Sequence, residues 1–182
     1  MKTYFIYGLA MAIAGAALAM VLYLLGFHSD PSKLVAAQII GVCGGLVIGI
    51  TCITLGTKAR REEIPPTEEF GYGRALGAGV MIALFAALFN IVTAYTYAKY
   101  INPEFVDVIV QAQMEKLEQK KIPPAQMESV EKMVRKFSGP EVQAASSCLG
   151  GILFGTLISL VTAALLKRPA MPPGLETPSA VA

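Results

Sequence analysis

The chain alternates between long apolar stretches and shorter polar segments. Four stretches contain no Asp, Glu, Lys, Arg or His and run for 24 or 25 residues each; they cover residues 3–27, 34–57, 75–98 and 142–166. A helix of about 20 apolar residues crosses the hydrocarbon core of a bilayer. The pattern therefore predicts an all-α membrane protein, a bundle of four transmembrane helices surrounded by lipid.

The first stretch also resembles a secretory signal peptide. Lys2 precedes the apolar run, and residues 17–19 read Ala-Leu-Ala, the small-residue pattern of a cleavage site. The run nevertheless continues to Phe27 without a charge, which gives bilayer length rather than a short signal core. We therefore expect an uncleaved span, and a mature protein that began at Met20 would contradict this expectation.

Two sequence matches predict that spans one and two are duplicated in spans three and four. The motif F-x-Y-G-x-A occurs at residues 5–10 and again at 70–75. The motif G-G-x-x-x-G occurs at 44–49 and at 150–155. Two duplicated helical hairpins would form parallel repeats related by an axis along the membrane normal. The shared composition of membrane helices is the alternative explanation of such short matches.

Small residues recur every four positions in the spans, as in a glycine zipper, and so fall on one face of each helix. Where side chains are small, two helices approach closely, and dispersion holds them together in lipid. The predicted helix-packing residues are Gly41, Gly45 and Gly49 in span two, Gly79 and Ala83 in span three, and Gly151, Gly155 and Ser159 in span four. We expect them to pack the bundle internally; a dimer interface is the alternative.

Few polar side chains lie inside the spans, and the most informative are Gln38, Asn90 and Thr93. The Asn90 amide is costly against lipid, so we expect it to point into the bundle and to pair with Thr93 or a backbone carbonyl. A polar site for a small ligand or a lipid headgroup is the alternative interpretation.

The segment between spans three and four, residues 99–141, carries seven basic and seven acidic residues and has helical signals of its own. The sequence predicts Asn102 as the N-cap of a first helix. The two prolines after Ile122 end this helix. A second helix follows, with an apolar stripe over 127–137. These signals predict an extramembrane helical hairpin over 102–138. Its apolar faces would fold on each other or on the membrane surface, and docking onto another envelope protein is the alternative.

Basic residues near the span ends set the expected orientation. Four spans place both termini on one side of the membrane, with the basic residues Lys58, Arg60, Arg61, Lys167 and Arg168 close to the helix ends. We expect this side to be cytoplasmic, with these side chains anchoring the protein at the anionic leaflet. The tail, residues 169–182, holds four prolines without periodicity and is predicted to be disordered.

Composition argues against several classes of function. The 15 basic and 13 acidic residues are too balanced for the basic face of a nucleic-acid-binding protein. Cys43, Cys52 and Cys148 have spacings that fit neither a disulfide framework nor a zinc site. His28, the single histidine, is expected to be a solvated loop residue rather than a metal ligand. With no ionisable group in the spans, we predict no catalytic residue, no metal, no cofactor and no enzymatic activity.

Several of these features together resemble a known family. Residues 70–75 read FGYGRA, residues 100–105 read YINPEF, the following segment is rich in Met, Glu and Lys, and the last span contains G-G-x-x-x-G. With the four spans, this resembles, over nearly the whole chain, a bacterial membrane family catalogued as a domain of unknown function (DUF4199-like). The resemblance implies a bacterial inner membrane and supplies no catalytic residues.

Two functions from different classes follow from these observations. The first is a non-enzymatic accessory or scaffold component of the bacterial inner membrane, which contacts a membrane or envelope protein through residues 102–138. The alternative is a small-solute carrier or channel, assembled as a homo-oligomer, with a pathway lined by Asn90, threonines and glycine faces. The missing charges in the spans count against ion coupling. An enzyme has the least support.

Overall fold

The structure is a computed structural model that describes residues 1–119 and 123–171. Within these residues the α-helices are α1 (Lys2–Leu24), α2 (Leu34–Glu62), α3 (Tyr72–Thr96), α4 (Phe105–Gln119), α5 (Pro124–Phe137) and α6 (Pro140–Leu166). A short 3-10 turn, Pro31–Lys33, leads into α2, and a π-helical turn, Tyr97–Ile101, continues α3.

Four of these helices, α1, α2, α3 and α6, are long and apolar enough to cross a membrane. The predicted all-α fold, with four helices of the length and apolar composition of membrane spans, is thus confirmed, and these helices indicate a multi-pass membrane protein. The helix α2 continues beyond its apolar run to Glu62, so Lys58, Arg60 and Arg61 belong to the helix itself.

The helix α3 has the largest interface of the bundle, which it makes with α6, and it also contacts α1 and α2. Because α1 packs on α2 and α2 packs on α6, the order around the bundle is α1, α2, α6, α3. The helix α1 begins, and α6 ends, at one end of the bundle, which we call the termini end. The helices α4 and α5 follow α3 at the opposite end, which we call the hairpin end.

The middle of the bundle is a tightly packed layer around Ile53 and Ile82, which are fully buried. A β-carbon added to Gly79 would lie 2.5 Å from Ser159 Oγ, and one added to Gly155 would collide with Ala83. Small residues therefore let α3 and α6 approach closely, as dispersion-driven packing in lipid requires.

The helices α4 and α5 form the predicted helical hairpin and pack on each other. Val110 of α4 is buried, and Asp107 of α4 pairs with Arg135 of α5 at 2.6 Å. The helix α4 also contacts the 3-10 turn Pro31–Lys33, so the hairpin rests on the end of the bundle.

The start of α4 differs from the prediction. The helix begins at Phe105, and Asn102 is not its N-cap. Asn102 instead ends the π-helical turn, where its backbone N–H donates to Tyr97 O at 2.8 Å. Its side chain is buried and is directed to other residues at the hairpin end.

Arg168, which follows the last turn of α6, forms hydrogen bonds with the connection between α2 and α3. Phe70 and Arg168 exchange two backbone hydrogen bonds, 2.9 and 2.8 Å long. The Arg168 guanidinium also donates to the carbonyls of Ile64 and Pro65, each at 3.1 Å. Of the tail that was predicted to be disordered, residues 172–182 lie outside the described residues.

The duplication of the two halves stays a prediction. Positions that the two motifs match have different surroundings in the structure. A β-carbon on Gly8 would press against Phe85 of α3, whereas one on Gly73 would have nothing within 4 Å. Phe5 is exposed on α1, whereas Phe70 is fully buried in the α2–α3 connection.

Candidate functional site

A cavity of about 530 Å³ lies within the bundle toward the hairpin end. Its walls come from the second half of α1, the end of α3 with the π-helical turn, the start of α6 and the loop after α1. Its polar lining consists of His28, Asn90, Thr93, Thr96, Tyr97, Gln143 and Ser147. The cavity therefore combines hydroxyl, amide and imidazole groups with the apolar surface of the spans.

A hydrogen-bonded chain at the edge of this cavity joins the loop after α1 to α3. Asn102 Nδ2 donates to Tyr97 Oη at 3.2 Å and to the His28 carbonyl at 3.4 Å. Tyr97 Oη lies 2.5 Å from His28 Nδ1. The Tyr97 hydroxyl thus accepts from Asn102 and also hydrogen-bonds to the His28 ring, so it joins the two residues.

Aromatic contacts hold the His28 ring in place. Its centroid lies 4.9 Å from that of Phe105 and 5.6 Å from that of Tyr97. Burial lowers the pKa of His28 from its ordinary value of 6.5, because the imidazolium would lose hydration. The sequence predicted a solvated loop histidine, but the ring is half-buried and packs against two aromatic rings.

The π-helical turn Tyr97–Ile101 positions Tyr97 between His28 and Asn102. Isolated π-helical turns are rare and occur often at functional sites. Residues 97–101 read YAKYI, which carries no glycine or proline that would have signalled the change of helix type. The sequence therefore did not reveal this part of the site.

The intramembrane polar residues are arranged differently from the prediction. Thr93 Oγ1 donates to the backbone carbonyl of Asn90 at 3.3 Å, not to the Asn90 carboxamide. Within the part of the chain that the structure describes, that carboxamide has no hydrogen-bond partner, and it lines the cavity. Gln38 lies apart, exposed near the start of α2.

A second cavity, of about 510 Å³, lies at the termini end. Tyr4, Arg60, Glu68 and Arg74 provide its polar lining. Arg60 Nε donates to Tyr4 Oη at 3.0 Å, and Arg74 pairs with Glu68 at 3.1 Å. The arginines at this cavity are thus already partnered by acceptors of the protein.

The basic residues that were predicted as membrane anchors have two kinds of surroundings. Arg60 pairs with Glu63 at 2.5 Å, Arg61 donates to the Leu166 carbonyl at 3.5 Å, and Arg168 holds the α2–α3 connection. Lys58 and Lys167 are exposed. Anchoring at an anionic leaflet is therefore open to the two lysines, while the three arginines also join parts of the protein.

The predicted helix-packing residues divide into two groups. Gly49, Gly79, Ala83, Gly155 and Ser159 lie in helix interfaces, and Gly151 is in ordinary contact with Ala87. Gly41 and Gly45 do not lie in a helix interface, because a β-carbon at either position would meet nothing within 4 Å. The prediction was wrong for these two residues.

Two glycines of α2 outside the predicted helix-packing set lie in tight contacts. A β-carbon on Gly44 would lie 2.6 Å from Leu18, and one on Gly56 would lie 2.5 Å from Ile82. Gly56 follows Gly49 by seven residues and shares its helix face, which is the signal that could have identified it.

The donor set of the hairpin-end cavity suits the binding of a polar molecule. Within residues 1–119 and 123–171, no group of three or more His, Cys, Asp or Glu side chains could hold a metal ion. His28, Tyr97 and Asn102 are hydrogen-bonded to one another, which fixes their orientation at the edge of the cavity.

A comparison with protein families identifies a match over most of the chain. The family model described as "Protein of unknown function (DUF4199)" matches residues 6–168. No curated protein and no solved structure matches the chain. Because the match covers nearly all of the sequence, the chain belongs to the DUF4199 family.

Proposed function

We propose that this member of the DUF4199 family is a non-enzymatic accessory or scaffold protein of the bacterial inner membrane. The four spans anchor it, with both termini in the cytoplasm, and the α4–α5 hairpin contacts a membrane or envelope protein. The observation that carries the proposal is the exposure of Met133 and Phe137, at 57% and 64%, on the extramembrane helix α5.

The side chains of α5 support a contact surface on its outer side. The helix α5 packs on α4, and its Val130 and Val134 are partly buried, whereas Met133 and Phe137, four residues apart, remain exposed on a common face. Methionine and phenylalanine are enriched at protein interfaces, and neighbouring large apolar side chains on a soluble surface mark interaction sites. We call Met133 and Phe137 the α5 patch.

Charges surround the α5 patch and keep the rest of the helix solvated. Glu128 pairs with Lys132 at 2.7 Å, and Glu131 pairs with Arg135 at 3.0 Å. An apolar centre with a charged rim is the usual composition of a transient protein interface. Phe137 lies three residues before the first residue of α6, so the bilayer surface is the competing occupant of the patch.

Photo-crosslinking in intact cells tests the proposal. A photoreactive amino acid at position 133 should form an adduct with one defined protein, and the same residue at the exposed position Ser129 should not. The Phe137→Ser change should abolish the protein adduct, whereas Glu128→Gln, a matched change on the charged rim, should leave it. Adducts with lipid alone at position 133 would contradict the proposal.

A small-solute carrier is the second candidate, favoured by the position of the two cavities. They lie toward opposite ends of the bundle, and the buried layer of Ile53, Ile82 and Ala83 lies between α2 and α3 in its middle. In alternating access, a central site opens to one side of the membrane at a time, and the closed layer between the two cavities would be the barrier that such a carrier moves. Uptake of labelled glycerol by proteoliposomes that contain the protein, above that of protein-free liposomes, would support this candidate.

A further inference from the structure

We propose that the hairpin-end cavity is a binding site for an uncharged amphiphile whose polar end carries hydroxyl or ester oxygens. Two sources share this chemistry: the head region of a neutral glycerolipid such as a diacylglycerol, and a water-soluble glycerol ester. This site goes beyond the scaffold role, because neither its residues nor its test involve the α5 patch.

The charge of the lining selects against ionic ligands. Among the described residues, no Asp, Glu, Lys or Arg lines this cavity, and His28 and Tyr97 are its titratable groups. A charged ligand would lose its hydration shell without gaining a counter-ion, which is strongly unfavourable in an apolar environment. An uncharged ligand avoids this cost.

The hydrogen-bonding capacity of the lining fits hydroxyl and ester groups. Thr93 and Ser147 donate their protons to carbonyls of their own helices, so their oxygens remain as acceptors. Gln143 donates through Nε2 to the Ser138 carbonyl at 2.7 Å, which leaves its Oε1 as an acceptor. The Asn90 carboxamide adds two donors and an acceptor. A ligand hydroxyl can donate to the oxygens of Thr93, Ser147 or Gln143. An ester carbonyl of the ligand can accept from the Asn90 amide.

The remaining wall is apolar, and small residues form much of it. The helix α1 contributes Gly15, Ala16, Ala19 and Met20, and a β-carbon on Gly15 would meet nothing within 4 Å. Val92, another lining residue, is 64% exposed on α3, so the cavity reaches the apolar outer surface of the bundle. A volume of about 530 Å³ lies in the range of ligand pockets. The cavity thus offers one polar side and one apolar side.

Photoaffinity labelling of the full-length protein in phosphatidylcholine nanodiscs tests the site. The probe is a diacylglycerol that carries a diazirine on a short acyl chain. We expect adducts on the lining segments of α1 and α6. A phosphatidylglycerol with the same diazirine chain should label these segments several-fold less. Equal labelling by the anionic probe, or labelling spread evenly over the lipid-exposed surface, would overturn the proposal.

Two variants test the cavity through different properties. Asn90→Leu removes the carboxamide at similar volume, and Ala16→Phe fills the space from α1. Each should lower labelling several-fold while the protein elutes and melts as a folded species. Gly45→Leu, on an open face of α2, is the matched control and should label like the wild type. Because the two variants change independent positions, the test stays valid if one of them does not fold. Labelling at the wild-type level in a folded variant would contradict the proposed binding site.

Competition distinguishes the two sources of ligand. If both monobutyrin, a soluble glycerol ester, and dioleoylglycerol prevent labelling, the polar head suffices and a soluble ligand fits. If only dioleoylglycerol prevents it, the ligand is a membrane lipid. If neither competes, the labelling is not saturable and the proposal fails.

Discussion

Ala83 of α3 lies so close to Gly155 of α6 that a β-carbon at position 155 would collide with the Ala83 methyl group. Both residues are buried at the largest helix interface of the bundle. The association of these two spans therefore depends on the absence of a side chain at one position.

Gly155→Leu should destabilise the bundle, because the added side chain forces α3 and α6 apart. Overpacking a core usually lowers the free energy of unfolding by about 1–3 kcal/mol, and we expect a loss at or above the upper end of this range. Gly45→Leu, which the sequence alone would have predicted to be equally harmful, should be tolerated, since its position is open. Thermal melting of both variants in the same detergent checks this, and equal losses would contradict the assigned interface.

Arg168→Ala should loosen the α2–α3 connection. The substitution removes the two donations to Ile64 and Pro65 and leaves the backbone bonds with Phe70 in place. A charged hydrogen bond contributes about 1.5–3 kcal/mol, so the connection should open more often. Cleavage by a glutamate-specific protease at Glu68 and Glu69 should become faster. Lys167→Ala, at an exposed neighbouring residue, should leave the rate unchanged.

Acid should destabilise the protein through His28 at mildly acidic pH. The pKa of His28 is lowered in the folded protein, so below its ordinary value of 6.5 the unfolded chain binds the proton first. The stabilising contribution is complete above pH 6.5 and declines as the pH falls through the folded-state pKa. Melting temperatures measured from pH 8 to pH 5 should fall less steeply for His28→Gln than for the wild type.

Glu63 provides a check on this assignment. Hydrogen bonds from Thr3 and Arg60 lower its pKa below the ordinary 4.5, so its contribution declines only in more acidic solution. A difference between His28→Gln and the wild type that appears only below pH 4.5 would therefore not come from the histidine.

Ile53→Ala should weaken the packed layer in the middle of the bundle. Ile53 is fully buried, and its atoms lie beside Gly79 and Gly155. Removing a buried isoleucine side chain to alanine costs about 2–5 kcal/mol, because it leaves a cavity. Ile50→Ala is the matched control on the same helix, since Ile50 is 51% exposed. Similar melting temperatures for the two variants would show that this layer does not stabilise the fold.

The sequence predicted the spans and the hairpin because both depend on local patterns. Uncharged runs of bilayer length identify α1, α2, α3 and α6, and apolar stripes between charges identify α4 and α5. The spans are apolar on all sides, so spacing places residues on a shared face without telling which face is buried. This is why Gly45 was selected and Gly44 was not.

The candidate site depends on contacts between residues far apart in the chain, which no local pattern contains. His28 and Tyr97 are separated by 69 positions, and Asn102 bonds to the His28 carbonyl across 74. Asn102 before a proline has the signature of a helix cap, but the π-helical turn directs it to the bundle instead. Tertiary packing thus determines the surroundings of both His28 and Asn102.

The partnership of α3 with α6 also sets an order of events during biosynthesis. Chains are made from the amino terminus, and the residues of α4 and α5 must leave the ribosome before α6 does. Until then, the groove beside Gly79 and Ala83 has no helix to fill it. A nascent chain that stalls before residue 140 would thus leave this groove open to other membrane helices or to quality-control proteases.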